Sequence, residues 1–311
     1  MNRKIFKRQA LEQLKGNWTP FVLASLIFSA ISFIFEMPFL RNYFRAISRL
    51  GSVTSIENYY YNLGYIFGSS FLFLLVLGAI VAPMFTLACA KLAKSYVENH
   101  NVENAEKITL NTFFSHLKKS GRGIGNFWWT WLWLVLWEFA VLIPGIILLA
   151  IITFISHSVS AAYFLAAILY IAVLVVVINR SIAYSMNWFI LAKDPSVSVF
   201  DAMKISKNIT NGQKGDLFIL DLSFLGWAIL SVFTLGIGFL WLLPYMQTTK
   251  YNALLYLIQD YNKRTSNPIF VTDSADASNQ ATFTSATDSK LDENNPYFAN
   301  DINSSSKKDE E

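Results

Sequence analysis

Residues 123–179 read GIGNFWWTWLWLVLWEFAVLIPGIILLAIITFISHSVSAAYFLAAILYIAVLVVVIN, and this stretch decides the fold class. Glu138 is its one charged residue. Because a helix of about 20 apolar residues crosses a bilayer, the stretch is long enough for two crossings, with a polar break, SHS, at 156–158. Tryptophan favours the membrane boundary, so the cluster from Trp128 to Trp137 marks the point of entry. The pattern predicts a membrane hairpin.

Three further windows without charge flank this hairpin, at residues 16–35, 58–90 and 222–249. Of the 311 residues, 54% are hydrophobic and only 15% are charged, whereas a soluble domain carries about 25% charged residues. This composition excludes an ordinary water-soluble enzyme. We therefore predict an all-α fold, a polytopic transmembrane helical bundle.

The predicted bundle has three parts and about six spans. An amphipathic helix (1–20) precedes the transmembrane domain (21–258), and a disordered acidic tail (265–311) follows it. The sixth span contains Lys250 and several uncharged polar residues, so a re-entrant or interfacial course stays open for it. The six predicted spans are residues 21–40, 65–90, 127–149, 160–178, 217–235 and 238–258.

The distribution of basic residues predicts the orientation, because Lys and Arg collect in cytoplasmic loops. With the N-terminus inside, the exterior segments hold only Arg41, Arg45 and Arg49 of the 25 Lys and Arg residues. Both termini are therefore predicted to be cytoplasmic.

Two amphipathic segments are predicted to lie along the inner membrane face. The N-terminal segment has an apolar stripe, Phe6, Ala10, Leu14 and Trp18, apart from most of its basic residues. The second segment starts at residues 194–196 and ends near Gly212 or Gly215. It either lies along the membrane or merely links spans four and five. Its apolar residues are Val199, Ala202, Met203, Ile205 and Ile209.

The tail begins near Thr265, where the composition changes to Ser, Thr, Asn, Asp and Ala. It carries nine acidic and three basic residues, and such polar, charged composition predicts disorder. Two similar tetrapeptides in it are either partner-docking turns or a chance recurrence. They are Asn267-Pro268-Ile269-Phe270 and Asn295-Pro296-Tyr297-Phe298.

Three acids fall at predicted membrane depth, where a charge is costly unless it is paired or hydrated. Glu138 is the deepest by residue count, so it is the first candidate for a proton or cation site. Asp221 lies near the inner end of span five and Glu36 near the outer end of span one. The alternative is that Asp221 and Glu36 are interfacial helix-end residues.

Prolines and glycines inside the spans predict kinks or close helix packing. Pro83 and Pro144 remove backbone hydrogen bonds, as in the broken helices of transporters, but prolines are also common in ordinary membrane helices. Residues 144–145 are predicted to kink or end span three. The candidate positions are Pro83, Pro144, Gly145, Gly226, Trp227, Gly236, Gly238 and Pro244.

The sequence shows no constellation typical of catalysis or metal binding. One cysteine and three histidines lack metal-ligand spacing, and no Gly-rich phosphate loop occurs. We expect a protein that is not an enzyme, holds no cofactor and binds no nucleic acid. The expected partners are the lipid bilayer, anionic lipids at a basic inner surface, and a protein bound by the tail. The basic surface includes Lys118, Lys119 and Arg122.

Residues 187–251 carry a specific series, which includes FILAKDP at 189–195 and DLSFLGW at 221–227. Together with IPG at 143–145 and KGNW at 15–18, the series resembles the bacterial membrane family known as domain of unknown function 975 over residues 1–258. A looser similarity is to the membrane domain beside some bacterial glycerophosphodiester phosphodiesterases. The resemblance implies a multi-pass protein of the bacterial cytoplasmic membrane and no specific activity.

Two functions stay open from the sequence. The first is a non-enzymatic membrane scaffold or regulator whose acidic tail binds partners. The second is a transporter or lipid-handling protein that uses the intramembrane acids Glu138 and Asp221. The sequence shows no internal repeat of the kind found in many transporters, and this favours the first function.

Overall fold

The computed structural model describes residues 1–50, 75–100, 102, 106–156, 159–265 and 269. Over these residues all regular structure is helical, which confirms the predicted all-α fold. Residues Met1–Ser266 form one compact unit. The candidate docking residues of the tail and the first part of the predicted span 65–90 lie outside the described residues.

The helices follow one another with short connections between most of them. A π-helical turn, Leu77–Val81, leads directly into α3. The helices are α1 (Arg3–Leu14), α2 (Trp18–Leu50), α3 (Ala82–Asn99), α4 (Leu110–Lys118), α5 (Arg122–Ser156), α6 (Val159–Tyr184), α7 (Asn187–Lys193), α8 (Val199–Ile209), α9 (Lys214–Phe233) and α10 (Phe239–Arg264).

Five helical segments among the described residues are long and apolar enough to cross a membrane. Each overlaps one of the first five predicted spans, and their length and composition are those of a membrane protein. The sixth predicted span, 238–258, lies within α10, which is not among these segments. Its crossing stays a prediction. The five segments are Trp18–Arg45, Leu77–Asn99, Arg122–Ile152, Tyr163–Lys193 and Lys214–Phe233.

Helix α10 has a polar face that is buried by the rest of the protein. Thr248, Thr249 and Asn252 are fully buried. The Asn252 amide nitrogen donates to Gln13 Oε1 at 2.9 Å, and the Gln13 amide nitrogen donates back to Asn252 Oδ1 at 3.3 Å. The Tyr251 hydroxyl donates to Glu98 Oε1 at 2.9 Å. Because buried polar groups need partners, and Asn252 and Tyr251 find theirs on α1 and α3, α10 is a core helix that packs against both.

The packed core combines α3, α7, the second half of α10 and the apolar face of α1. Leu92, Ile190 and Leu254 are fully buried there, and the rings of Phe189 and Tyr251 meet edge to face with centroids 6.4 Å apart. The α5–α6 hairpin is different, because its apolar side chains project away from the core. Phe154 and Tyr163 near its tip are 79% and 75% exposed. Such exposed apolar surface is typical of a lipid-facing element.

The apolar stripe of helix α1 packs on the protein, and a position of α1 at the inner membrane face stays a prediction. The stripe Phe6, Ala10 and Leu14 is buried, and the ring centroids of Phe6 and of Tyr256 in α10 lie 5.5 Å apart. The stripe has the spacing of one helix face, but periodicity cannot tell whether that face meets lipid or another helix. Here the buried face of α10 supplies the partner.

Helix α8 also turns its apolar face inward. Met203 packs with Ala183 and Tyr184 at the end of α6, instead of lying along the membrane. The helix starts later than predicted, because its N-cap is Ser198, whose Oγ accepts from the Asp201 amide at 3.0 Å. Asp194 instead accepts a hydrogen bond from the Ser196 amide in a local turn.

The predicted breaks at proline have different outcomes. Proline crowds the carbonyl four residues earlier; for Pro83 this is Ala79, inside the π-helical turn. The wider ring of that turn accommodates the proline. Helix α5 passes through Pro144 and ends only at Ser156, so the predicted end at 144–145 is wrong. Helix α10 likewise continues through Pro244.

The candidate packing glycines divide into three groups. A Cβ at Gly145 would lie 3.0 Å from Leu169 Cδ2, and a Cβ at Gly238 would lie 2.9 Å from Ser231 Cα, so both positions allow close helix approach. Gly236 has φ +87° and forms the turn between α9 and α10. A Cβ at Gly226 would meet nothing within 4 Å, so the packing prediction is wrong there.

A close approach at Gly123 yields a test of the packing between α3 and α5. A Cβ at Gly123 would lie 2.5 Å from the Pro83 carbonyl oxygen, which belongs to the backbone and cannot rotate away. We expect Gly123→Ala to lower the free energy of unfolding by about 1–3 kcal/mol through overpacking. Thermal unfolding in detergent measures the effect.

Gly125→Ala is the matched control, because its Cβ would meet only Val199 Cγ2 at 3.9 Å. Alanine is the better helix former, so this variant keeps or raises the unfolding midpoint. Equal midpoints for the two variants would contradict the packing described here.

Candidate functional site

The three candidate acids are not brought together. Glu36 lies on α2 and is exposed. Glu138 lies on α5, and Asp221 lies on α9. Over the described residues, these three helices make no extended packing contact with one another. A transport mechanism that shares a proton or cation among these acids therefore gains no support from their positions.

Asp221 is paired with a lysine of the neighbouring helix. Its Oδ1 lies 2.8 Å from Lys250 Nζ, and the two side chains are 40% and 21% exposed. The pair joins α9 to α10 and neutralises both charges in an apolar hairpin, which lowers the cost of keeping them there. Ser223, two residues further along α9, donates to the Leu220 carbonyl oxygen.

Glu138 lies at the base of the α5–α6 hairpin. The continuation of α5 to Ser156 puts about 27 Å of helix between Glu138 and the tip, close to the hydrocarbon thickness of about 30 Å. Arg180 lies at the same level, with its guanidinium 3.6 Å from the Trp137 ring centroid. The segment that is long and apolar enough to cross a membrane runs from Arg122 to Ile152, and Glu138 lies near its middle.

An apolar groove of about 490 Å³ lies beside the turn between α9 and α10. This volume falls within the range of about 300–1,000 Å³ that is usual for small-molecule sites. Helices α1 and α2 supply Leu11 and Trp18 to its wall. The α9–α10 hairpin supplies, among others, Trp227, Leu230, Ser231, Thr234, Trp241 and Tyr245.

The polar side chains in the groove wall are already bonded within the hairpin. The Ser231 hydroxyl donates to the Trp227 carbonyl at 2.8 Å, and the Thr234 hydroxyl donates to the Ser231 carbonyl at 2.8 Å. Thr234 Oγ1 also accepts from the Gly238 amide at 3.0 Å. Because these hydroxyls are bonded to the backbone, the groove presents a predominantly apolar surface, which suits a hydrocarbon chain better than a polar solute.

Lys7 of α1 is linked to the groove through two aromatic rings. Its Nζ lies 4.3 Å from the centroid of Phe224 and 3.4 Å from the Ser223 carbonyl oxygen. The ring centroids of Phe224 and Tyr245 lie 5.4 Å apart, and Tyr245 lines the groove. Burial lowers the pKa of the Lys7 ammonium below its usual value, because the charged form is less well solvated.

Two lysines of α3 cap the ends of other helices. Lys91 Nζ donates to the Lys119 carbonyl at the end of α4 (2.6 Å), and Lys94 Nζ donates to the Lys193 carbonyl at the end of α7 (2.9 Å). A cation is favourable at a helix C-terminus. These two capping residues were not predicted from the sequence. The one signal for them was their spacing of three residues, which places both on one helix face.

The predicted basic inner surface is partly structural. The Arg122 guanidinium donates to the carbonyl oxygens of Pro195 and Val197, so it fixes the loop before α8. Lys118 and Lys119 are exposed on the surface. The described residues contain no group of three or more His, Cys, Asp or Glu side chains that could hold a metal ion.

The match to known families comes from the sequence as a whole. Residues 1–257 match a family model described as "Protein of unknown function (DUF975)". The chain belongs to this family. The looser similarity to the membrane domain beside glycerophosphodiester phosphodiesterases is not confirmed by this match. No curated protein and no solved structure was found to match this DUF975 chain.

The Asp221–Lys250 pair can be tested by a double-mutant cycle. We expect Lys250→Met alone to lower the unfolding midpoint in detergent, because it leaves the Asp221 carboxylate unpaired in an apolar hairpin. Adding Asp221→Asn to Lys250→Met should recover part of that loss. Strictly additive losses in the two single variants and the double variant would contradict the pairing.

His116 gives a prediction for the pH dependence of stability. Its Nε2 lies 3.1 Å from Ser95 Oγ, and burial together with Lys91, Lys94 and Lys119 lowers the pKa of the imidazole below 6.5. The unfolded chain therefore binds a proton more readily, so stability is lost as pH falls below about 6.5. We expect the unfolding midpoint of His116→Gln to depend less on pH between 7.5 and 5.5.

The exposed His100 is the matched control for this experiment. His100→Gln should retain the pH dependence of the natural protein over the same interval. If His100→Gln flattened the profile and His116→Gln did not, the assignment to His116 would be wrong.

Proposed function

We propose that this DUF975 protein is a non-enzymatic, multi-pass protein of the bacterial cytoplasmic membrane that binds a membrane lipid in the groove. The observation that carries the proposal is the groove itself, an apolar recess beside the turn between α9 and α10. Its tryptophans and its hydroxyls, which are bonded within the hairpin, favour a hydrocarbon occupant over a polar one.

Binding inside a membrane needs a particular physical explanation. A lipid chain that enters the groove leaves other lipid chains, so the hydrophobic effect contributes little to its binding. Retention must come from packing against rigid side chains and from contacts to the headgroup. Trp18, Trp227 and Trp241 supply large, stiff aromatic surfaces on three sides of the recess.

A second candidate function is a membrane scaffold or regulator that binds a protein through its tail. The tail after Thr265 has nine acidic residues and a net negative charge, and this composition favours the scaffold or regulator function. Truncation after Arg264 should then remove a stoichiometric partner from the protein extracted in mild detergent. Partners and phenotype unchanged by this truncation would exclude a role of the tail.

Filling the groove tests the lipid proposal. Leu230 lines the recess, and we expect Leu230→Trp to reduce the lipid retained on the protein several-fold, because the larger side chain occupies the space of the chain. Native mass spectrometry of the intact protein from its own membrane measures the retained lipid.

Leu222→Trp is the control, since Leu222 is an exposed residue of the same helix outside the groove. It makes the same chemical change on the lipid-facing surface and should leave retention unchanged. Equal lipid retention in both variants and the natural protein would place any bound lipid elsewhere and refute the proposal.

A further inference from the structure

We propose that the lipid in the groove is anionic and that basic side chains of α1, chiefly Lys7 and Lys15, bind its phosphate. This inference rests on the proposed function and names the lipid class. It would assign to α1 a ligand-binding role in addition to its packing role.

The position of Leu11 relates the basic residues to the groove. Leu11 lines the recess, and residues three or four positions apart are neighbours on a helix surface. Lys7 and Arg8 precede Leu11 by one helical turn, and Lys15 follows it at the helix end. Cationic side chains therefore flank the point where α1 meets the apolar recess.

The charges around α1 are unbalanced in favour of an anion. Residues 1–15 contain five basic side chains and one acid, Glu12. Glu12 lies 3.8 Å from Arg8, and Asp216 of α9 lies 3.0 Å from Arg3. On the facing hairpin Asp221 is already paired with Lys250. The nearby carboxylates are thus engaged by other cations, and an excess of positive charge stays at the groove edge.

Lys7 is the best placed of these cations. Its Nζ faces the Phe224 ring and a single backbone carbonyl at 3.4 Å, which leaves donor capacity on an ammonium that can donate three hydrogen bonds. A phosphate oxygen would add a charge-assisted hydrogen bond in a partly desolvated position. The lipid chain attached to that phosphate would extend into the recess.

The combination of charge and apolar recess favours a lipid over a free inorganic phosphate. A free anion would use the cations alone and leave the tryptophan-lined recess without a role. An anionic phospholipid uses both, because the basic helix and the recess are continuous through Lys7, Phe224 and Tyr245.

The test compares two lipids of identical chains. The full-length protein is placed in nanodiscs with equal amounts of phosphatidylglycerol and phosphatidylcholine, and native mass spectrometry gives the ratio of the two lipids retained. We expect a preference for phosphatidylglycerol that falls about five-fold for each lysine removed in Lys7→Gln and Lys15→Gln. Lys7→Arg should keep the preference, since it keeps the charge.

The control removes the same charge elsewhere. Lys204→Gln with Lys207→Gln changes two exposed lysines of α8, and it should leave the lipid ratio unaltered. Unfolding midpoints of all variants, measured in parallel, identify any loss of fold. Loss of the preference in the α8 control but not in the α1 variant would overturn the assignment.

The outcomes separate this inference from the proposed function. If the natural protein retains no lipid, both fail. If it retains both lipids equally, only the anionic inference fails. Displacement of phosphatidylglycerol by millimolar inorganic phosphate would show a free-anion site and would overturn the inference.

Discussion

The structure depends on the burial of a polar helix face. Helix α10 places Asn252 fully inside the protein, and a buried side-chain amide is costly without hydrogen-bond partners. Gln13 of α1 meets Asn252 through two reciprocal hydrogen bonds. This requirement draws the N-terminal helix against the last helix and closes the core. The groove exists because α1, held in this way, comes to lie beside the α9–α10 hairpin.

The molecule combines helices in two different environments. The core helices bury their side chains against one another, whereas the most apolar stretches of α5 and α6 contain no buried residue. Between these extremes lies the α9–α10 hairpin, which is joined at one end by Lys250 and Asp221 and has the groove beside the turn at its other end. A recess at such a boundary has a fixed wall on the core side and lipid on the other.

The fold class and five spans could be predicted because a bilayer demands long contiguous apolar runs, which are visible in the sequence. The full length of α5 could not, since it depended on whether the helix continues past Pro144, and membrane helices tolerate proline. The environment of the apolar face of α1 could not be predicted, because the same apolar stripe can pack on lipid or on protein. The groove could not be predicted from the sequence, because Leu11 and Tyr245 come from opposite ends of the domain and no local pattern relates them. Trp227 and Gly238 were singled out, but only as packing residues.

The lysine caps of α3 have a consequence for the order in which the protein assembles. Helices α4 and α7 have nine and seven residues, and isolated helices this short are unstable in water. Each ends on a carbonyl that a lysine of α3 binds, across 28 residues for Lys91 and 99 residues for Lys94. Helix α3 leaves the ribosome before either of them. The cap on α4 can therefore form soon after α3 is synthesised, whereas the cap on α7 requires a much later part of the chain.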